Sequence, residues 1–432
     1  MLKNFFLIIS LLLVFLLASC SDKSEIIQGE RISVFVNDKE INSNEQAFNE
    51  GSKLGEIIQN NSFTHPILNT QHSGGNLEGP LTEDIVNIWQ VSVGKGVDKF
   101  TPYLPNIVSY ENQIFTLDTK GVIYCIDIIN GKKIWQQQIS DRSNAYLAVS
   151  GGLSIYNDLI FSHSGDTNAK AIDRLSGKIL WDKQFKFPIT GGPTASQKGV
   201  VFTLLDGSLH MLETLSGKTL WETIGIPEEG GVAGSASPSM DDNIIVAPGA
   251  KDNFSVLNID DGSFLWGDSL LSMSFETVVE EVQELSAHPI IYKDYIIIYS
   301  RSGKLITYNK NNSSILWEHN FGGGQTPWVA GESLFVVSDL GVLKSIRIYD
   351  GSVRWVENLD IQINRKINFY GPIIASNKLY LTGSDNNLYI LNPDTGKLIN
   401  RVKLPGNFSS SPIIVNSKIF ILSNDAKLLA YQ

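Results

Sequence analysis

The chain has 432 residues, a formal net charge of −11 and only 18% charged residues. An acidic chain with no basic run lacks the electrostatic footprint that nucleic acid or an anionic lipid surface demands. Two cysteines, Cys20 and Cys125, exclude a disulfide framework.

The elements begin with a targeting segment over residues 1–19. Lys3 supplies a positive start, and residues 5–17 form an apolar run of 13, short for a membrane span. The run ends at Leu17-Ala18-Ser19-Cys20, which resembles a bacterial lipobox. That resemblance implies an acylated Cys20 at the mature N-terminus. Ser21, in place of Asp, implies delivery to the outer membrane. Residues 20–84 are polar and read as a tether to the next domain. Within them, a weak apolar stripe (Phe48, Leu54, Ile57, Ile58) predicts a short helix over 44–60, and residues 31–34 predict an extra strand.

Residues 85–432 carry a repeat. Its clearest copy is residues 112–139, three alternating apolar runs joined by two turn signals and closed by a tryptophan. The same frame ends at Trp135, Trp181, Trp221, Trp266, Trp317 and Trp355, and at Asn400 in a seventh copy, with steps of 38 to 51 residues. Four strands at this period select a β-propeller among repeat architectures. The last unit, over residues 411–431, lacks its fourth strand, and residues 87–93 supply one with Trp89 in frame, 46 residues before Trp135. The expectation is an all-β fold: eight blades of four antiparallel strands, the ring closed by the N-terminal strand. Closure would leave only short blade edges.

The repeat is physically consistent. Proline near a first strand (Pro105, Pro193, Pro238, Pro289, Pro327, Pro372, Pro412) suits a strand start, where no ladder donor is missed. Gly131, Gly177, Gly217, Gly262, Gly351 and Gly396 each stand four residues before the tryptophan position, where a turn needs positive φ. Ser313 breaks that rule, so its turn is expected to differ. The in-frame tryptophans read as packing between neighbouring blades. Trp328 is out of frame and reads as a surface residue. Cys125 reads as a buried small hydrophobe.

Two loops depart from the repeat. Residues 230–235 are glycine-rich. Residues 270–288 lengthen one step and place Phe275, Val278, Val279 and Val282 at helical spacing. Both precede first strands of consecutive blades, which predicts adjacent loops on one face. An apolar centre edged by Glu280, Glu281 and Glu284 suits a protein interface.

Chemistry is sparse. No P-loop, HExxH, GxSxG or paired CxxC occurs, and His65, His72, His163, His210, His288 and His319 show no ligand spacing. No catalytic residue, metal or cofactor is expected. The units, such as Ile172-Asp173-Arg174-Leu175-Ser176-Gly177-Lys178-Ile179-Leu180-Trp181, resemble the pyrroloquinoline-quinone-type propeller repeat. With lipobox and tether, the chain resembles the BamB family from Cys20 to Gln432. That resemblance implies a monomeric, non-catalytic lipoprotein on the periplasmic face of the outer membrane. It would bind the central subunit of the β-barrel assembly machinery, with unfolded outer-membrane proteins as clients. The family's contact loops fall on residues 230–234, which include Val232 and Ala233, and on Glu284-Leu285-Ser286; Phe275 and Val279 are expected partner contacts from the apolar stripe of the insertion itself. An arginine of the family pattern is replaced by Ala233, and one of its two carboxylates is lost at Ser286. The alternatives are a pyrroloquinoline-quinone-dependent dehydrogenase, whose adjacent cysteine pair is missing here, and a ligand-binding propeller.

Overall fold

The computed structural model describes residues 43–99, 101–140, 151–225, 236–249, 252–270, 287–301, 303–363 and 366–432. Contacts divide the chain into Met1–Glu40 and Ile41–Gln432, and every described residue lies in the second unit. The signal peptide, Cys20 and the strand expected over 31–34 fall outside the described residues. Among those residues, no helix is long and apolar enough to cross a membrane.

The fold is all-β, with two helices of five residues, Glu45–Asn49 and Leu359–Ile363, among the described residues. Eight sheets follow one another along the chain, each with four antiparallel strands at its heart, sequential in all but the eighth. They are numbered here by their first strands. These are Val108–Tyr110, Gly152–Tyr156, Ile189–Ser196, Ser239–Met240, Ile290–Tyr292, Trp328–Ala330, Phe369–Ala375 and Ile413–Val415. Pro238, Pro289, Pro327 and Pro412 immediately precede a first strand, whereas Pro193 and Pro372 sit inside one at a register shift. Either place spares a ladder bond.

The fourth strand of the eighth sheet is Asn87–Ser92, paired antiparallel with Lys427–Tyr431. Its register carries the signature of the other seven. In all eight sheets the ladder between third and fourth strands shifts just past the tryptophan position: Cys125 pairs with Trp135, Ile390 with Asn400 and Ala430 with Trp89, and the residue before each is bulged out. A bulge re-aims side chains. Here it leaves Ile134, Leu180, Leu220, Leu265, Leu316 and Ile399 exposed on the fourth strands. The sixth sheet differs. Its bulged residue is Arg354, fully buried beside the helix Glu45–Asn49, whose cap Asn44 donates its backbone N–H to Val353.

The core lies between consecutive sheets rather than within them. One cluster joins sheets 1 and 2 (Phe115, Cys125, Leu153, Ile172), and others join 2 with 3, 3 with 4, 4 with 5 and 5 with 6. The largest cluster runs through sheets 6, 7, 8 and 1 and takes in Leu54, Phe63, Leu68 and Leu77. Cys125 is buried and its thiol is pushed up to about 12, chiefly by desolvation.

Five of the eight joints use the same part. The indole N–H of Trp135 donates to Arg174 O at 2.9 Å, Trp181 to Thr214 O, Trp221 to Ile259 O, Trp317 to Ile348 O and Trp355 to Pro393 O, always on the next sheet. The ring lies flat on that sheet's turn glycine. A Cβ on Gly177 would sit 2.7 Å from Trp135 Cδ2, and φ there is +74°. Glycine is therefore required twice over, for conformation and for space. Asn400, in the tryptophan position, donates its amide to Glu83 O, on the chain leading into the closing strand.

Ser313 does not produce a different turn. Its φ is +58° and its N–H bonds Asn309 O at 2.9 Å, as Gly131 bonds Asp127. The backbone bond dictates the turn. Trp266 makes no indole-to-carbonyl bond among the described residues and packs instead on Phe254 and Tyr308.

Candidate functional site

Residues 43–80, part of the stretch read as a tether, pack against the sheets. The expected helix over 44–60 shrinks to Glu45–Asn49, capped by the Asn44 side chain accepting from Ala47 N. Leu54 enters the core, while Ile57 and Ile58 form a short strand with Asn76 and Leu77. The backbone there is taken by partners distant in sequence, which overrides a weak helical stripe.

From residue 60 to residue 77 this segment meets the first strands of all eight sheets in turn. Asn60 bonds Ile414 O and Asn416 N at the eighth sheet. Ser62 and Phe63 pair with Tyr110 and Ser109 of the first. Thr64 O accepts from Ile155 N of the second, and His65 Nε2 from Ala195 N of the third. Thr70 O accepts from Met240 N of the fourth, and Gln71 O from Ile291 N of the fifth. Gly75 O accepts from the Trp328 indole of the sixth, and Leu77 pairs with Ala375 of the seventh. The order of contacts is the order of the sheets, starting from the eighth. Each bond satisfies a first-strand group that no neighbouring strand reaches.

The reading of Trp328 as a surface residue is corrected here. It is 1% exposed, lying under Gly74, where a Cβ would come within 2.2 Å of the indole. It fell out of frame because it belongs to a first strand and answers to the N-terminal segment, not to the repeat.

Three histidines meet on this circuit. His72 and His288 stand with ring centroids 4.9 Å apart. His72 Nδ1 donates to Pro289 O at 3.0 Å, which leaves Nε2 as a buried acceptor with no partner. His65 Nε2 accepts from Ala195 N, so its Nδ1 donates to Thr64 Oγ1. His288 Nδ1 accepts from Ser237 N, so its Nε2 carries the proton. These tautomers follow from backbone partners. Burial lowers His65 to about 3 and His288 to about 4; it also holds His72 well below its usual value, with added repulsion from His288 and His65. Near neutral pH all three are uncharged struts. Their spacing in sequence gave no sign of this, because the joining contacts span 130 and 217 residues.

A cavity of about 210 Å³ opens beside them, its base formed by Phe63, Pro66 and Ile67 of the segment. Tyr103, Gln325, Tyr370, Ser409 and Ser410 add hydroxyl and amide groups, and His288 reaches the wall. Among the described residues, no Asp, Glu, Lys or Arg lines it, and burial holds His288 neutral near pH 7. Such a lining can hold neutral hydrogen-bonding groups against an apolar base.

The residues expected at a partner surface, Val232, Ala233, Phe275, Val279, Glu284 and Ser286, lie outside the described residues. Their flanks are described. Gly225 and Ala236 bracket the first loop and Leu270 and Ala287 the second, each between a fourth strand and the next first strand. Ser237 N donates to His288 Nδ1, so the two loops end side by side.

The family model described as outer membrane protein assembly factor BamB matches residues 88–357. The outer membrane protein assembly factor BamB of Yersinia pestis is 20% identical over 351 residues, covering 80% of this chain and 88% of the relative. Among solved structures, BamB from Moraxella catarrhalis superposes with a TM-score of 0.67 at 15% identity, over 81% of this chain and 99% of that one. A quinohemoprotein alcohol dehydrogenase from Comamonas testosteroni superposes at 0.70 with 10% identity, over 90% of this chain and 82% of that one. At such identities the superpositions speak for the fold alone.

Proposed function

The chain belongs to the family of the outer membrane protein assembly factor BamB, and from that premise we propose that it is an eight-bladed propeller lipoprotein serving as a non-catalytic scaffold in outer-membrane protein assembly. The observation that carries this reading is the family match over the repeat itself, residues 88–357. The pairing of Asn87–Ser92 with Lys427–Tyr431, in the register of the other fourth strands, supports closure of the ring by the N-terminal strand.

In this reading residues 1–19 are a signal peptide and Cys20 carries lipid. Residues beyond it reach from the periplasmic face of the outer membrane to the propeller. The partner is the central subunit of the β-barrel assembly machinery, met by the loops over 230–235 and 270–288. Unfolded outer-membrane proteins are the clients. Ser237 bonding His288 supports the adjacency of these loops.

Co-isolation from solubilised outer membranes tests the reading. The full chain should retain the central barrel subunit, and Phe275→Asp or Val279→Asp should lose most of it while the thermal transition stays in place. Equal recovery with both folded variants would move the interface elsewhere; no recovery with the unaltered chain would contradict the scaffold role.

A further inference from the structure

We propose that the mouth formed by the eight first strands is a binding site for an extended peptide, occupied in cis by residues 60–77, and that acid releases this occupant. The segment binds as a peptide ligand would. It offers backbone carbonyls of Asn60, Thr64, Thr70 and Gln71 to strand N–H groups, adds short pairings at Ser62–Phe63 and Asn76–Leu77, and seats Phe63 and Leu77 in the core. Main-chain bonds give such a site affinity and side-chain pockets give it register. Most of the ordered segment belongs to no sheet of its own, so its hold rests on these contacts. Only two pairs of residues, Ile57–Ile58 with Asn76–Leu77, join it to itself as strands.

The release device is the histidine cluster. His65 and His72 belong to the segment, and His288 belongs to the fifth sheet's approach. Facing His65 are Thr64 and the Ala195 N–H; facing His72 are Pro289 O, His288 and His65; facing His288 are the Ser237 N–H and His72. Among the described residues, no carboxylate faces any of the three to welcome a proton. A proton on His65 or His288 must displace a backbone N–H. A proton on His72 Nε2 would be buried without an acceptor. Once the segment leaves, the rings meet water and titrate at an ordinary value near 6.5. The docked form binds fewer protons than the released form, so docking is at full strength above about pH 6.5 and weakens as pH falls below it. Two freed histidines shift the equilibrium by roughly a hundredfold at one pH unit below 6.5.

Hydrogen exchange on the full chain reads this directly. The amides of Ile155, Met240, Ile291 and Asn416 donate to the segment, while Phe161 and Ala171 report the second and third strands of the second sheet, which make no bond to the segment among the described residues. After correction for intrinsic rates, the four reporter amides should lose protection between pH 7.5 and 5 while the sheet amides keep theirs. In His65→Gln/His72→Gln, if docked at pH 7.5, the acid loss should nearly vanish. If that variant does not dock, the slope of the unaltered chain's titration decides, with about two protons per release expected. A fluorescent peptide of residues 56–80 carrying H65Q and H72Q should bind the chain at pH 5 and not at pH 7.5. Reporter protection that is flat with pH, or lost together with the sheet amides, or a vacated mouth that refuses the peptide, would overturn the proposal.

Discussion

The outer joints and the inner circuit hold the same eight sheets by opposite means. At the outer joints one device is repeated: a tryptophan on one sheet, a positive-φ glycine on the next, and an indole N–H to a carbonyl. At the inner circuit nothing repeats, and eight first strands are met by nine different residues of a single passing segment. Repetition makes the outer joints nearly independent, so a defect in one should stay local. A shared segment couples all eight sheets, so a defect there should spread.

The comparison breaks most sharply at Trp328. Trp328→Ala removes a fully buried ring and its bond to Gly75 O, for a loss of about 3–5 kcal/mol in chemical denaturation. Limited proteolysis within residues 56–80 should accelerate with it. A loss confined to the sixth sheet, with the segment still protected, would show that the circuit is not shared.

A smaller effect sharpens the outer side through exchange of the turn residue. Gly177→Ser sets a Cβ at 2.7 Å from Trp135 in a left-handed turn and should cost about 1–3 kcal/mol. Ser313→Gly relieves the same conformation at the joint where Trp266 makes no indole-to-carbonyl bond among the described residues, and should gain about 0.5–1 kcal/mol. Equal and opposite changes would mean that the Trp266 joint is as tight as the others.

The two regions also differ in how far they can be read without a structure. Trp89, in frame 46 residues before Trp135, gave away the closing strand, because a repeat announces a missing member. Turn glycines announced the joints, although the reason for glycine at Gly177 is as much the indole above it as its φ. The circuit left no such mark. His65, His72 and Trp328 have no periodic partner, and their bonds run to backbone groups, which any residue type supplies. Ser313 misled for a related reason: its side chain suggested another turn, whereas the Ser313 N–H to Asn309 O bond fixes the same one. The interface expected around Phe275 rests on a pattern of side chains alone and lies outside the described residues.

The proposed closure of the ring by Asn87–Ser92 can be tested at one pair of residues. Ser92 and Lys427 are register partners at the end of the closing ladder, near opposite ends of the chain. Ser92→Cys/Lys427→Cys, made with Cys125→Ser and oxidised in the monomer, should yield one tryptic peptide pair containing positions 92 and 427, seen by mass spectrometry without reductant. The bond should raise stability by roughly 2–4 kcal/mol and be reversed by reduction. Thiols that stay reduced in the folded monomer, or that join only between molecules, would contradict closure by the N-terminal strand.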